Sequence, residues 1–281
     1  MDTIRDVAAL RQMLAGLEAA RLPGVEQSFC LGAAGPEAGG VRLARGALHE
    51  VQAAASADMP AATGFALALA LLAARRGTAG EGRPLLWVRQ DMAEAEFGRL
   101  DAPGLAALGL DPARLILVRA RDGAEALRAA GDAVRCAGLG ALIIEIWGTP
   151  KALDLTATRR LALRAAASGV TSFLLHGAPE PAATAVATRW RVAPAASTPL
   201  EGDAPGAPSF RATLLRHRGG EGGARPVEGG DWKLEWDHAA FTFRDLDPLS
   251  RTVVPVPAVR PDRAASHEAR RGEVLALRRT G

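Results

Sequence analysis

Residues 47–71 read Ala47-Leu-His-Glu-Val-Gln-Ala-Ala-Ala-Ser-Ala-Asp-Met-Pro-Ala-Ala-Thr-Gly-Phe-Ala-Leu-Ala-Leu-Ala-Leu71. The stretch opens with an apolar run of strand length, 48–52, and closes in a segment that is apolar almost all round from Phe65 to Ala74. A helix of that composition packs deep against a sheet. Further apolar runs at 85–88, 115–118, 142–146 and 172–175 have the character of strands buried on both faces. Helix-compatible segments near 63–76, 92–108, 122–137 and 154–168 fall between them. Regular alternation of this kind predicts an α/β fold whose sheet is mostly parallel, with right-handed crossovers. Beyond residue 186 the helical pattern stops, and strands near 189–192, 211–216, 232–236 and 241–243 are expected to extend the sheet antiparallel.

Upstream, Ile4, Val7, Leu10, Leu14 and Leu17 recur at spacings of three and four, so 3–20 reads as an amphipathic helix. Its apolar face is the candidate partner-binding element. The chain thus divides into an N-terminal helix (1–22), a Gly/Pro-rich linker (23–46) with a short strand at 28–31, an α/β core (47–245) and a Pro/Arg-rich tail (246–281). The glycines of 219–230 mark a hairpin tip that does not order itself.

Composition narrows the function classes. With 281 residues, 48% of them hydrophobic, the chain can bury one full α/β core. No apolar run reaches the roughly 18–20 residues of a membrane span and no export signal opens the chain, so a cytoplasmic protein without a membrane partner is expected. Cys30 and Cys136 lack CxxC spacing, and the five histidines lack metal spacing, so neither a disulfide framework nor a bound metal is expected. A net charge of +3 is too near balance to signal nucleic-acid binding by itself. Trp147, Trp190, Trp232 and Trp236 read as packing residues rather than base-stacking platforms beside Arg189 and Arg191.

In an open parallel sheet, ligands bind beyond the carboxyl ends of the strands, and the first strand-to-helix turn is where a phosphate loop sits. A working loop requires GxxxxGK[ST]: backbone amides close around phosphate, lysine neutralises it, and the hydroxyl holds magnesium. The turn here runs 53–64. With Gly64 as its last glycine, Phe65 stands where lysine belongs and Ala66 where the hydroxyl belongs. Lys151 and Lys233, the chain's two lysines, lack the required glycine spacing. The phosphate loop is therefore degenerate, and no nucleotide cofactor is expected. Asp91, after the 85–88 strand, and Glu145, within 142–146, stand where an ATPase of this topology holds its water-activating and magnesium-directing carboxylates. Each reads more simply as a solvated or salt-bridged acid, and His176, ending the next strand, as a structural histidine. HExxH, GxSxG and a strand-linked GxGxxG are absent, and no catalytic residue is assigned.

Six segments carry a family resemblance: Ala47-Leu-His-Glu-Val51, Phe65-Ala-Leu-Ala-Leu-Ala-Leu71, Leu86-Trp-Val-Arg-Gln90, Ala141-Leu-Ile-Ile-Glu145, Thr188-Arg-Trp-Arg-Val192 and Asp231-Trp-Lys-Leu-Glu-Trp236. In this order, over about residues 1–245, the chain resembles the ImuA family of proteobacterial RecA relatives. The resemblance implies a RecA-like core with a degenerate loop at Gly64, Phe65 and Ala66, in which Asp91 and Glu145 are vestiges of a nucleotide site. It also implies an accessory, non-enzymatic role in damage-induced translesion synthesis beside an ImuB-like Y-family polymerase relative, an error-prone polymerase and RecA. Three other readings are a divergent RecA-type ATPase, a DNA-binding module using the tail arginines, and a SulA-like cell-division inhibitor.

Overall fold

The computed structural model describes residues 3–4, 28–31, 41–75, 83–148, 150–177, 183–218 and 230–246. The expected tail, the 219–230 tip and most of the N-terminal helix lie outside the described residues.

Ten strands form one sheet: β1 (Thr3–Ile4), β4 (Leu48–Ala53), β5 (Leu85–Gln90), β6 (Leu115–Ala120), β7 (Ala141–Ile146), β8 (Thr171–His176), β9 (Thr188–Pro194), β10 (Ser209–His217), β11 (Asp231–Asp237) and β12 (Thr242–Asp245). A separate antiparallel pair joins β2 (Ser28–Leu31) to β3 (Val41–Ala44). The strand order in the large sheet is β1-β6-β5-β7-β8-β4-β9-β10-β11-β12. Every pairing from β1 through β9 is parallel and every one from β9 to β12 is antiparallel. This is the mostly parallel α/β core expected of a RecA-like chain.

Helices cover the parallel part on both faces. On one lie α1 (Met59–Ala74) and the short α2 (Asp91–Phe97) and α3 (Ala102–Ala107); on the other lie α4 (Gly123–Ala133) and α5 (Leu155–Ser168). Local signals set their ends. Asp101, Asp122 and Asp154 accept hydrogen bonds from the amides of Gly104, Glu125 and Ala157 at 2.8, 2.8 and 2.7 Å, capping α3, α4 and α5. Gly169 closes α5 at a left-handed φ of 76°. The C-terminal carbonyls of α1 are taken by Arg45, which donates to those of Leu72, Ala73 and Arg75.

Four expectations are corrected. The single helix at 92–108 is two, because Gly98 turns out of α2 at φ 78° and Asp101 restarts the chain in α3. The strand at 189–192 is parallel, not antiparallel: the chain leaves β8 and returns on the far side of β4, pairing Trp190 with Val51. The linker holds β3 as well as β2, and their buried residues Phe29, Leu31, Val41 and Leu43 join the core under α1. At the N-terminus, Ile4 lies in a strand beside Val118 rather than in a helix; Val7, Leu10, Leu14 and Leu17 lie outside the described residues.

The fifth correction changes the reading of the site. Helix α1 begins at Met59, so Gly64, Phe65 and Ala66 are in its second turn and fully buried. Phe65 packs against Trp190, Phe210 and Phe243 at ring-centroid distances of 5.8, 5.7 and 5.3 Å. It is a core residue that joins α1 to the antiparallel extension. Phe65→Ala is therefore expected to lower the unfolding free energy by about 3–5 kcal/mol. Urea titration followed by tryptophan fluorescence measures this; an unchanged midpoint would return Phe65 to the loop.

Candidate functional site

The crossover direction reverses between β5 and β7. The connection from β5 leads outward to β6, while that from β7 leads the other way to β8. The crevice beyond the carboxyl ends of β5 and β7 is thus the topological switch point, where an α/β sheet of this kind binds ligands. The loop from β4 into α1 approaches the same end of the sheet.

That loop is five residues, Ala54, Ala55, Ser56, Ala57 and Asp58. The amide of Ala54 donates to the carbonyl of Val192 at 2.8 Å and that of Asp58 to Ala55 at 2.9 Å, so both are already used. Pro60, in the first turn of α1, offers no N–H. The side chains at the mouth are a carboxylate, a serine hydroxyl, alanines and the buried Met59. The residues facing a would-be phosphate are therefore Ser56 to Pro60, not 64–66, and none is cationic.

At the switch point a row of charges crosses the sheet. Arg89 of β5 stands in register with Glu145 of β7 on one side and Arg119 of β6 on the other. Burying two adjacent guanidinium groups requires carboxylates beside them. Arg89 Nε donates to Glu145 Oε2 at 2.8 Å, Trp87 Nε1 donates to the same oxygen at 3.0 Å, and Arg89 also reaches the carbonyls of Gly98 and Ala93. Arg119 bridges Asp91 at 2.7 Å and Glu94 at 3.1 Å. Asp91, just after β5, and Glu145, near the end of β7, are each held by an arginine. Burial raises the Glu145 carboxyl above its ordinary range, against the opposing pull of Arg89 and Trp87. Its Oε1 has no hydrogen-bond partner among the described residues. Above this row Phe97 packs on Trp147 at 5.3 Å, and the Trp147 amide donates to Gln90 Oε1 at 3.0 Å, tying the ends of β5 and β7 together.

His176 faces away from this crevice. It lies on the opposite side of the sheet, in a buried cluster around Glu50. Glu50 Oε1 bonds His176 Nε2 at 2.8 Å and accepts from Gln52 Nε2 at 2.8 Å; Oε2 accepts from Thr184 Oγ1 at 2.7 Å and Arg189 Nε at 2.9 Å. Register explains the meeting, since Glu50 stands directly opposite Arg189 and Gln52 opposite His176. Burial alone would raise the Glu50 carboxyl, but the bonds and charges of His176, Thr184 and Arg189 override it and hold the group at about 2. On the α1 face, His49 Nδ1 accepts from Thr188 Oγ1 and Nε2 donates to the Ala44 carbonyl, both at 2.8 Å. Burial, opposed by that carbonyl and aided by His217, lowers His49 to about 4.

From sequence, His176 and Arg189 are taken up but not Glu50, Gln52 or Thr184, nor Arg89 and Arg119 as charges needing a partner. The available signal was a charge inside a strand buried on both faces, as in Leu48-His-Glu-Val51 and Leu86-Trp-Val-Arg89, which demands an opposite partner. Trp190 and Trp236 are fully buried and serve packing, as expected. Among the described residues no group of three or more His, Cys, Asp or Glu is disposed to hold a metal.

No protein-family profile matches the chain. Two relatives, each named Protein ImuA, come from two strains of Caulobacter vibrioides. Both are 38% identical over 226 residues, covering 75% of this chain and 84% of the relative. Among solved structures, the RadB recombinase aligns over 72% of this chain and 92% of its own, at 15% identity and a TM-score of 0.46.

The two buried titrating groups set an acid profile. In the unfolded chain His49 takes up its proton near 6.5, and in the fold only near 4, so stability falls as pH drops through that interval. Glu50 stabilises fully above its ordinary 4.5 and loses that contribution as pH falls toward 2. Each contribution amounts to about 3 kcal/mol. Urea unfolding at pH 7, 5 and 3 is expected to show both losses, the first absent in His49→Gln and the second in Glu50→Gln. A wild-type stability flat from pH 7 to 3 would contradict both assignments.

Proposed function

The chain belongs to the ImuA family, and from that premise we propose that it is a non-catalytic, RecA-like accessory protein of damage-induced translesion synthesis. It acts in the cytoplasm by binding an ImuB-like Y-family polymerase relative. RecA and an error-prone replicative-type polymerase are further candidate partners.

The observation that carries the non-catalytic reading is the turn from β4 into α1. A nucleoside triphosphate brings several negative charges, and binding them out of water requires donors and cations in place. Here the short loop uses two of its amides internally, its helix carries a proline in the first turn, and Asp58 would add repulsion. The arrangement at the switch point supports the same reading. An acid that directs magnesium or orients water must present its charge to the crevice; Glu145 is committed to Arg89 and Asp91 to Arg119. The parts of an ATPase site are thus converted into internal ion pairs, leaving the sheet as a scaffold for surface contacts.

Calorimetry of the full chain with magnesium and ATP is expected to show no saturable binding at millimolar nucleotide. The purified ImuB-like partner is expected to co-elute with the chain equally well with and without ATP. Micromolar ATP binding with phosphate release would overturn the non-catalytic reading, and failure of the partner to co-elute would overturn the accessory one.

A further inference from the structure

Four large apolar side chains stand exposed among the described residues, and two of them, Leu155 at 50% and Leu163 at 63%, lie on α5. The helix buries Thr158, Leu161 and Ala165 against the sheet. At 100° per residue Leu163 points directly away from that buried stripe. Its neighbours one turn back are Arg159 and Arg160, and one turn forward Ala166 and Ala167, all exposed. The outward face of α5 is therefore a leucine knob between a pair of guanidinium groups and a flat alanine shelf.

Its charge is one-sided. From Asp154, which caps the helix, the next acidic residue in the chain is Glu180. Some exposed arginines elsewhere are matched, Arg121 with Glu125, Arg211 with Asp231 and Arg244 with Asp237, while Arg42, Arg75, Arg191 and Arg218 stand singly; on α5 two unmatched arginines adjoin an exposed leucine. Arg159 and Arg160 have no carboxylate partner among the described residues. A solvated helix face ordinarily intersperses both signs and keeps its leucines inside. A face that exposes leucine and withholds carboxylates suits a surface supplying the missing charge.

We infer that the outward face of α5 is the docking surface for the polymerase-like partner, received by an apolar socket rimmed with Asp or Glu. This rests on the accessory reading given above and names the surface through which it operates. The alanine shelf lets a second helix approach closely, Leu163 fills the socket, and Arg159 and Arg160 pair with its rim. Other occupants fit less well. The chain's own segment 248–281 carries seven arginines against Asp262, Glu268 and Glu273, so its sign is wrong. A second copy of α5 would set arginine against arginine. A nucleic-acid backbone would meet the arginines but gain nothing from the leucine between them.

The test uses the full chain and the purified ImuB-like partner, with a fluorescent single-stranded oligonucleotide as the competing probe. Because the altered side chains are exposed, Leu163→Ser and the double variant Arg159→Glu/Arg160→Glu are expected to melt as the wild type does. Each is expected to weaken partner binding about tenfold or more, as loss of an interface anchor does. Wild-type affinity should fall as salt rises, and the doubly reversed variant should lose most of that dependence. If the wild type binds and both variants bind equally well, the surface is wrong while the accessory reading stands. If the wild type does not bind the partner, both fall together. Oligonucleotide binding that the arginine reversal abolishes and Leu163→Ser leaves intact would assign the face to nucleic acid instead.

Discussion

Helix α1 has sixteen residues and no polar face, and twelve of them are buried. Such a helix cannot lie on a surface; it requires apolar cover all round. The strands β4, β7, β8 and β9 lie beneath it, and the β2–β3 pair and the aromatic residues of β10 and β12 join the same core. That requirement explains features otherwise unrelated: a strand pair recruited from a linker-like sequence, a sheet extended past β9, and Arg45 folded back to bond the helix's last carbonyls. Together with the turn that precedes it, over Ser56–Ala74, the helix is long and apolar enough to cross a membrane, and its place in the core accounts for that composition. It settles the shape of the first loop as well. Filling the space under β9 and β10 takes Phe65, and a helix carrying Phe65 inward has already begun at Met59.

Two carboxylates buried to a similar depth illustrate how the surroundings decide the state of a charge. Glu50 meets four donors, two on each oxygen, and its ionised form is favoured in spite of burial. Glu145 meets two donors on a single oxygen, and burial prevails. The difference follows from strand register. Glu50 sits at the centre of the sheet, where β8 and β9 flank β4 and both bring polar side chains to its face. Glu145 has Arg89 on one side and Leu175 on the other. A fully bonded ion cluster of this kind contributes less to net stability than to fixing one arrangement of strands. The bonds from Thr184 and Arg189 to Glu50 tie the start of β9 to β4.

Much of the core was legible in the sequence because buried parallel strands and their covering helices impose strong periodicities. All five central strands fall where those periodicities put them, as do the helices near 63–76, 122–137 and 154–168, while 92–108 is broken at Gly98. What was not legible depended on partners distant in sequence. Glycine and proline dominate 23–46, so nothing local separates β3 from a loop; it becomes a strand because Val41 and Leu43 complete the cover over α1. The parallel direction of β9 is set by its pairing with β4, 139 residues earlier for His49 and Thr188. The loop register failed for a related reason. A glycine after threonine resembles the end of a phosphate loop, yet Gly64 serves close helix packing, with Phe210 at 3.4 Å from where a Cβ would stand. The positions of Asp91 and Glu145 at the ends of β5 and β7 are legible because each adjoins or lies in a recognisable strand. Their arginine partners are less legible, because in a strand recognised by its apolar character Arg89 and Arg119 count only as interruptions.

The ion pairs at the crevice bear on how such a sheet remains folded. In a phosphate-binding α/β protein, like charges converge on the ligand, and the site is complete only when the ligand or its metal is present. Here the charges at the switch point neutralise one another, with Arg119 answered by Asp91 and Glu94 and Arg89 by Glu145. The ends of β5 and β7 are further locked by Gln90 on the Trp147 amide. Ion pairs within the sheet therefore hold the ends of these strands together. An interaction protein gains from that rigidity, because a surface already ordered loses little entropy on docking. Helix α5 satisfies that condition: capped by Asp154, closed by Gly169 and anchored through Leu161, it presents its outer side chains from a fixed frame.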